Sequence, residues 1–190
     1  MEFVKKNPII ILIAGKARSG KSTLSQYIKE NLEKDNKKVI MSPYTKYLKH
    51  YIEEITGITI TEENKPRDML QKISSDLIKK ELGKENFFIN RQIEDIEIYS
   101  YFTDAIIIPD VRFPNEIEVI KNKFKNVYSI GIIRENYQSD LTEEQQKDIT
   151  ETSLDNYQQY DYLVLNKKET NLYEEAKKIK SILERRNSNE

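Results

Sequence analysis

Apolar residues follow two rhythms along this chain. Short apolar runs occur at Ile9–Ala14, Val39–Met41, 105–109, 127–133, interrupted by Gly131, and 162–165, none with the every-other-residue polarity of a half-exposed strand. Each predicts a strand buried on both faces. Between the runs the spacing is helical. Leu24, Tyr27, Ile28 and Leu32 share a face, as do Tyr47, Leu48, Tyr51, Ile52 and Ile55 up to Gly57. Leu70, Ile73, Leu77 and Ile78 predict a third helix ending near Gly83, and a fourth covers about 87–101. Ile117, Ile120 and Phe124 mark a helix that begins at Pro114 or Asn115, and Leu172, Ala176, Ile179 and Leu183 line the last, with 185–190 expected to fray. Residues 61–66 and 134–150 are polar, and Thr142-Glu143-Glu144-Gln145 matches a capping box, which predicts a short exposed helix there.

Strands alternating with helices predict an α/β fold, a three-layer sandwich whose five-stranded, mainly parallel sheet carries helices on both faces. Such sheets bind ligands at the carboxyl ends of their strands. The residues that matter most are therefore 15–22, 42–46, 110–112, Arg134 and Asn166.

The first of these segments is Gly15-Lys16-Ala17-Arg18-Ser19-Gly20-Lys21-Ser22, which fits Gly, four residues, Gly-Lys-Ser/Thr between a strand and a helix. This is the phosphate-binding loop of P-loop NTPases. Gly15 and Gly20 remove side chains where backbone N–H groups close around phosphate oxygens, and the following helix turns its positive end to the same place. Lys21 then reaches the β and γ phosphates, and the Ser22 hydroxyl holds Mg²⁺. Gly15, Lys16, Ala17, Arg18, Ser19, Gly20, Lys21, Ser22 and Thr23 are the expected nucleotide contacts. A plain glycine turn between strand and helix, with Lys16 and Arg18 as surface cations, is the bland alternative.

Past the third long run come Asp110 and Arg112. Asp110 would hold Mg²⁺ through water or accept from a substrate hydroxyl, and Arg112 would grip an acceptor phosphate. Pairing with each other, or capping the next helix, is the structural alternative. Arg134 opens a polar lid over about 134–150, where a mobile arginine can neutralise a moving phosphoryl group, and Glu151 and Asp155 would anchor its far end. The helical insertion over about 45–103 would hold a second substrate through Tyr44, Lys46, Arg67 and Gln71, the last two one helical turn apart. Phe87-Phe88 reads as core before it reads as a base platform.

Composition narrows the classes. The 190 residues suit one domain. Without cysteine there is no disulfide, thiolate metal site or cysteine nucleophile, and a reducing cytoplasmic setting is expected. Net charge is −1 with a pI near 6.1, which argues against a nucleic-acid polymer as partner. The apolar start is too short for a signal core or a membrane span, so a soluble protein without a membrane partner is expected. The single histidine, His50, reads as solvent-facing or interfacial, and one histidine cannot build a multi-histidine metal site. Oligomeric state stays open, a homodimer included.

The loop, the Tyr44-Thr45-Lys46-Tyr47-Leu48-Lys49 stretch, Arg67-Asp68-Met69-Leu70-Gln71, Asp110-Val111-Arg112-Phe113-Pro114-Asn115-Glu116 and Thr150-Glu151-Thr152-Ser153-Leu154-Asp155 resemble the deoxynucleoside monophosphate kinases of bacteriophages and related bacterial proteins. The resemblance runs over about 9–179. It implies transfer of the γ-phosphoryl of ATP, with Mg²⁺, to a (deoxy)nucleoside monophosphate, with Lys21, Arg112 and Arg134 catalytic and Tyr44, Lys46, Arg67, Gln71, Asp110, Arg112 and Glu151 on the substrate side. Asp148 stands where that family often has histidine, and there is no tryptophan in 85–102. One rival is a kinase resembling animal-type phosphomevalonate kinases, which share the loop and an Arg-Asp-Met helix. Another is a nucleotide switch, because Asn166-Lys167-Lys168-Glu169 resembles the base-reading element of GTPases; Asp110-Val111-Arg112-Phe113 lacks the glycine such a switch requires.

Overall fold

The computed structural model describes residues 2–61, 64, 66–135, 142 and 146–187. Five strands form one sheet: β1 (Ile9–Ala14), β2 (Val39–Met41), β3 (Ala105–Val111), β4 (Val127–Arg134) and β5 (Tyr162–Asn166), in the order β2-β3-β1-β4-β5. Every pairing is parallel, so the sheet is parallel throughout. β1 is its centre, and its side chains divide by the strand's period of two. Ile9, Ile11 and Ile13 enter one core with Leu24, Ile28 and Leu32 of α1 (Lys21–Glu33) and Ala176, Ile179 and Leu183 of the last helix, α7 (Leu172–Asn187). Ile10, Leu12 and Ala14 enter the other with Ile89 and Ile96 of α4 (Phe87–Tyr99) and Ile117 and Ile120 of α5 (Pro114–Lys123). Burial on both faces is why β1 shows no alternation, whereas edge strand β5, expected to be buried on both faces, leaves Leu163 and Leu165 about half exposed. Each fully buried isoleucine contributes about 2 kcal/mol of transfer free energy.

Between β2 and β3 lie α2 (Lys46–Thr56), which ends at left-handed Gly57, then α3 (Arg67–Gln71), which continues as a π-helical stretch, Lys72–Glu81. Leu48, Ile52 and Leu70 form a small separate core there, against which Phe88 packs. A four-residue helix, α6 (Ile149–Thr152), precedes β5.

Three boundaries differ from the sequence expectation. α7 continues through Asn187, so 185–187, expected to fray, are helical, and 188–190 lie outside the described residues. α4 ends at Tyr99, short of 101. β3 does not stop at Pro109 but continues to Val111, with one extra residue between Ile108 and Val111 opposite Leu12 and Ala14 of β1. β2 pairs only as far as Ile107, so the missing Pro109 N–H falls beyond that ladder, in a bulge. Of the expected lid, residues 136–141 and 143–145 lie outside the described residues, and with them most of the expected capping box. No helix among the described residues is long and apolar enough to cross a membrane.

Candidate active site

The segment between β1 and α1 has the backbone its glycines permit. Gly15 has φ 154° and Gly20 φ 105°. A Cβ at Gly15 would collide with the Ile132 carbonyl oxygen, and one at Gly20 would lie 2.8 Å from Asn166 Nδ2. Lys21, 8% exposed, folds back so that Nζ donates to Gly15 O (2.6 Å) and Lys16 O (2.5 Å). Asn166 Nδ2 donates to Ser19 O (2.8 Å) and Arg134 Nη1 to Arg18 O (3.1 Å), tying the ends of β5 and β4 to the same loop. Ser19 is 3% exposed and its buried Oγ has no hydrogen-bond partner among the described residues. Ser22 and Thr23 lie on the exposed first turn of α1, which carries no acidic residue.

Arg112 completes this side. Its Nη1 donates to Gly15 O (3.2 Å) and to Glu151 Oε1 (2.8 Å). Glu151 Oε2 accepts from the Ala17 N–H at 2.7 Å, so one carboxylate spans the loop and the arginine. Lys16 pairs with Asp155 (2.7 Å), and Ser153 Oγ donates to the Arg112 carbonyl. Arg112 is held from behind by Glu116, whose Oε2 accepts from the N–H of Arg112 (2.7 Å) and of Phe113 (3.1 Å). Phe113 has no side-chain acceptor, so only the returning half of a capping box exists at α5. Burial pushes the Glu116 carboxyl up to about 7, against the two N–H groups that favour its charged form.

The loop opens into a cavity of about 800 Å³ walled by Gly15, Ala17, Ile132, Leu154, Tyr157 and Tyr160 among others. Its far wall belongs to β4 and the 146–160 segment. Tyr157 and Tyr160 meet edge to face at 4.9 Å, and burial pushes the Tyr160 hydroxyl up to about 12.

Other expected site residues are engaged elsewhere. Both oxygens of Asp110 are taken at the start of α2, by Tyr44 N–H (2.8 Å), Thr45 N–H (3.0 Å) and Thr45 Oγ1 (2.8 Å). Asp110 therefore holds the start of a helix, but of α2, far back in the chain, rather than of the next one, α5. Tyr44 is not open to a substrate: it is 5% exposed, in the core under α4 and α5, and its hydroxyl donates to Glu116 O (3.3 Å). Burial, with Glu116 and Asp110 close by, raises that hydroxyl well above the ordinary tyrosine range. Lys46 turns into a polar cluster, paired with Asp95 and donating to Ser42 Oγ (3.1 Å) and Tyr99 Oη (3.0 Å). Gln71 donates to Asp148, which caps α6 by accepting from Thr150 N–H (2.8 Å). The Arg67 side chain lies outside the described residues. His50 is exposed beside Glu54 (3.5 Å), as expected. Glu116, Ser153 and Asp148 were not among the expected site residues; the Asp-x-x-Glu spacing of Asp148 and Glu151 is an N-terminal helix signal that would have pointed to α6.

No protein-family model and no curated protein sequence matches the chain. Solved structures do. The APS kinase of Mycobacterium tuberculosis in complex with AMPPNP and APS is 10% identical with a TM-score of 0.56, over 94% of this chain and 99% of that one. Shikimate kinase from Bacteroides thetaiotaomicron is 16% identical with a TM-score of 0.55, over 93% and 98%. A sugar kinase from a Janibacter species is 8% identical with a TM-score of 0.54, over 93% and 95%. At such identity the likeness establishes the fold alone: an α/β P-loop kinase fold with an all-parallel five-stranded sheet.

Proposed function

We propose that this chain is an ATP-dependent phosphotransferase whose acceptor is a (deoxy)nucleoside monophosphate. The observation that carries this reading is Arg112 Nη1 at 3.2 Å from Gly15 O, a second cation at the mouth of the phosphate-loop segment where an acceptor's anion would meet the donor's. Beside Lys21, the first, stand Lys16 of the loop itself and Arg134, whose Nη1 reaches Arg18 O. That some proteins of this fold are kinases, one of them captured with AMPPNP, supports ATP as donor.

The loop suits a triphosphate: it leaves no room for a Cβ at Gly15 or Gly20, and Ser19 keeps a buried hydroxyl unpaired. Gly15, Lys16, Ala17, Arg18, Ser19, Gly20, Lys21, Ser22 and Thr23 would line it. Ser22 would hold Mg²⁺ directly and Asp110, whose oxygens are engaged at α2, only through water. When bound, the ion supplies charge neutralisation on the phosphates.

In this mechanism Lys21 leaves the Gly15 and Lys16 carbonyls for the phosphates. Arg112 holds the acceptor phosphate in line, and Arg134, at the edge of β4, neutralises charge as the phosphoryl moves. An acceptor phosphate oxygen attacks the γ-phosphorus and the bond to ADP breaks. That oxygen is already ionised near neutral pH, so the site requires cations to hold two repelling anions rather than a strong base. Gln71, bonded to Asp148, and Arg67, whose side chain lies outside the described residues, would serve the acceptor side.

A coupled assay offering each deoxynucleoside monophosphate, each ribonucleotide and phosphomevalonate tests the reading. Turnover with at least one nucleoside monophosphate is expected. Turnover with phosphomevalonate alone ends it in favour of the other phosphorylated-metabolite kinase, and acceptor-independent slow GTP hydrolysis would favour a switch.

A further inference from the structure

Glu151 stands in a place its own sequence does not explain. It is the third residue of α6, three after the capping Asp148, where a glutamate ordinarily returns to the N–H of its own cap. Its two oxygens instead accept from the Ala17 N–H at 2.7 Å and the Arg112 guanidinium at 2.8 Å, with the side chain 11% exposed. These are an amide of the phosphate loop and a neighbouring arginine, the donor types that a phosphate oxygen takes. An anion at those donors and the Glu151 carboxylate repel strongly at such range in a partly buried site, so they exclude one another.

We infer that Glu151 is an exchangeable occupant of the phosphate site, a positioning residue that keeps the Ala17 N–H and Arg112 aimed at one point until a substrate phosphate displaces it. The inference rests on the reading of Gly15 to Ser22 as a nucleotide loop, but not on which acceptor is used. Displacement cuts the ties of α6 to the loop at Ala17 and to Arg112. Three contacts next to them, Lys16 with Asp155, Gln71 with Asp148 and Ser153 with the Arg112 carbonyl, join the same segment to the loop, to the helical insertion and to the residue after β3. Entry of a phosphate is thereby coupled to release of 149–155, between β4 and β5. Filling the site internally also keeps Arg112 from collapsing onto another carboxylate while the site is empty of substrate.

The test is calorimetric titration of the full chain with inorganic pyrophosphate, comparing wild type, Glu151→Gln and Glu151→Ala. Removing the competing charge should tighten pyrophosphate binding about tenfold in both variants, a free-energy change of about 1.4 kcal/mol. Equal or weaker binding by the variants overturns the inference, because a residue that only supports the loop or contacts substrate would weaken it when removed. A second measurement needs no variant: in wild type, pyrophosphate should accelerate amide exchange over 149–155, and unchanged or slower exchange contradicts displacement. Pyrophosphate carries no nucleoside, so failure of the monophosphate reading in the acceptor assay leaves both outcomes interpretable.

Discussion

Replacing Glu116 with glutamine should change how stability depends on pH, because this carboxyl lies behind Arg112 with 8% of the residue exposed. Its folded value of about 7 against an ordinary 4.5 means that the fold favours the neutral form. The sign follows directly. A carboxyl whose value is raised on folding contributes stability that is full below about 4.5 and is lost as pH rises through about 7. Between about pH 5 and pH 8 that loss amounts to roughly 2 to 3 kcal/mol at 1.36 kcal/mol per unit. Glutamine keeps an oxygen for the Arg112 and Phe113 N–H groups and carries no charge at either pH. Urea unfolding of both proteins across this range should therefore show the variant gaining roughly 2 to 3 kcal/mol on wild type from acid to alkaline conditions. Asp110 and Lys79 face the same group and are present in both proteins, so they cancel in the difference. A difference between the two proteins that stays flat with pH would refute the burial assigned to Glu116 and its hold on the Arg112 backbone.

Other expected outcomes concern the loop and its arginine. Lys21→Ala should abolish phosphoryl transfer, measured as kcat; retained turnover would remove Lys21 from the mechanism. Arg112→Ala should lower kcat/KM for the acceptor by about 2 to 4 kcal/mol, the range for one half of a buried charged pair, with little change in KM for ATP. Unchanged acceptor kinetics would contradict its role. Gly20→Ala forces a left-handed φ of 105° on a side chain that meets Asn166 Nδ2 at 2.8 Å, and should cost about 1 to 3 kcal/mol in denaturant unfolding along with AMPPNP affinity. A variant of wild-type stability and affinity would show that the loop is more yielding than these contacts indicate.

The strands were legible because a central parallel strand is apolar on both faces, and Ile9–Ala14 carries that signature over all six residues. The loop was legible because its chemistry is local: two glycines, a lysine and a hydroxyl in eight positions. Contacts set by distant partners were not. Asp110 belongs with the residues past a strand in any one-dimensional reading, yet the bulge after Ile108 and the shortness of β2 are properties of pairing, and they leave its oxygens on Tyr44 and Thr45. Lys46 has its partner Asp95 on another helix, 49 positions away, and Tyr44 has a polar hydroxyl on a ring that the core accepts whole. Glu151 was expected, by position, to anchor the far end of the lid and to stand on the substrate side. Nothing local said that it would bridge Ala17 and Arg112, since the spacing from Asp148 pointed to a local cap.

The central claim is that the loop and Arg112 form the two halves of one transfer site. Following the labelled γ-phosphoryl of ATP in the presence of Mg²⁺ and each nucleoside monophosphate tests it most directly. The label should appear in the diphosphate, on the acceptor's phosphate, and only when an acceptor is present. Label released solely as inorganic phosphate at a rate indifferent to acceptor, or attached to a hydroxyl instead of a phosphate, would contradict it.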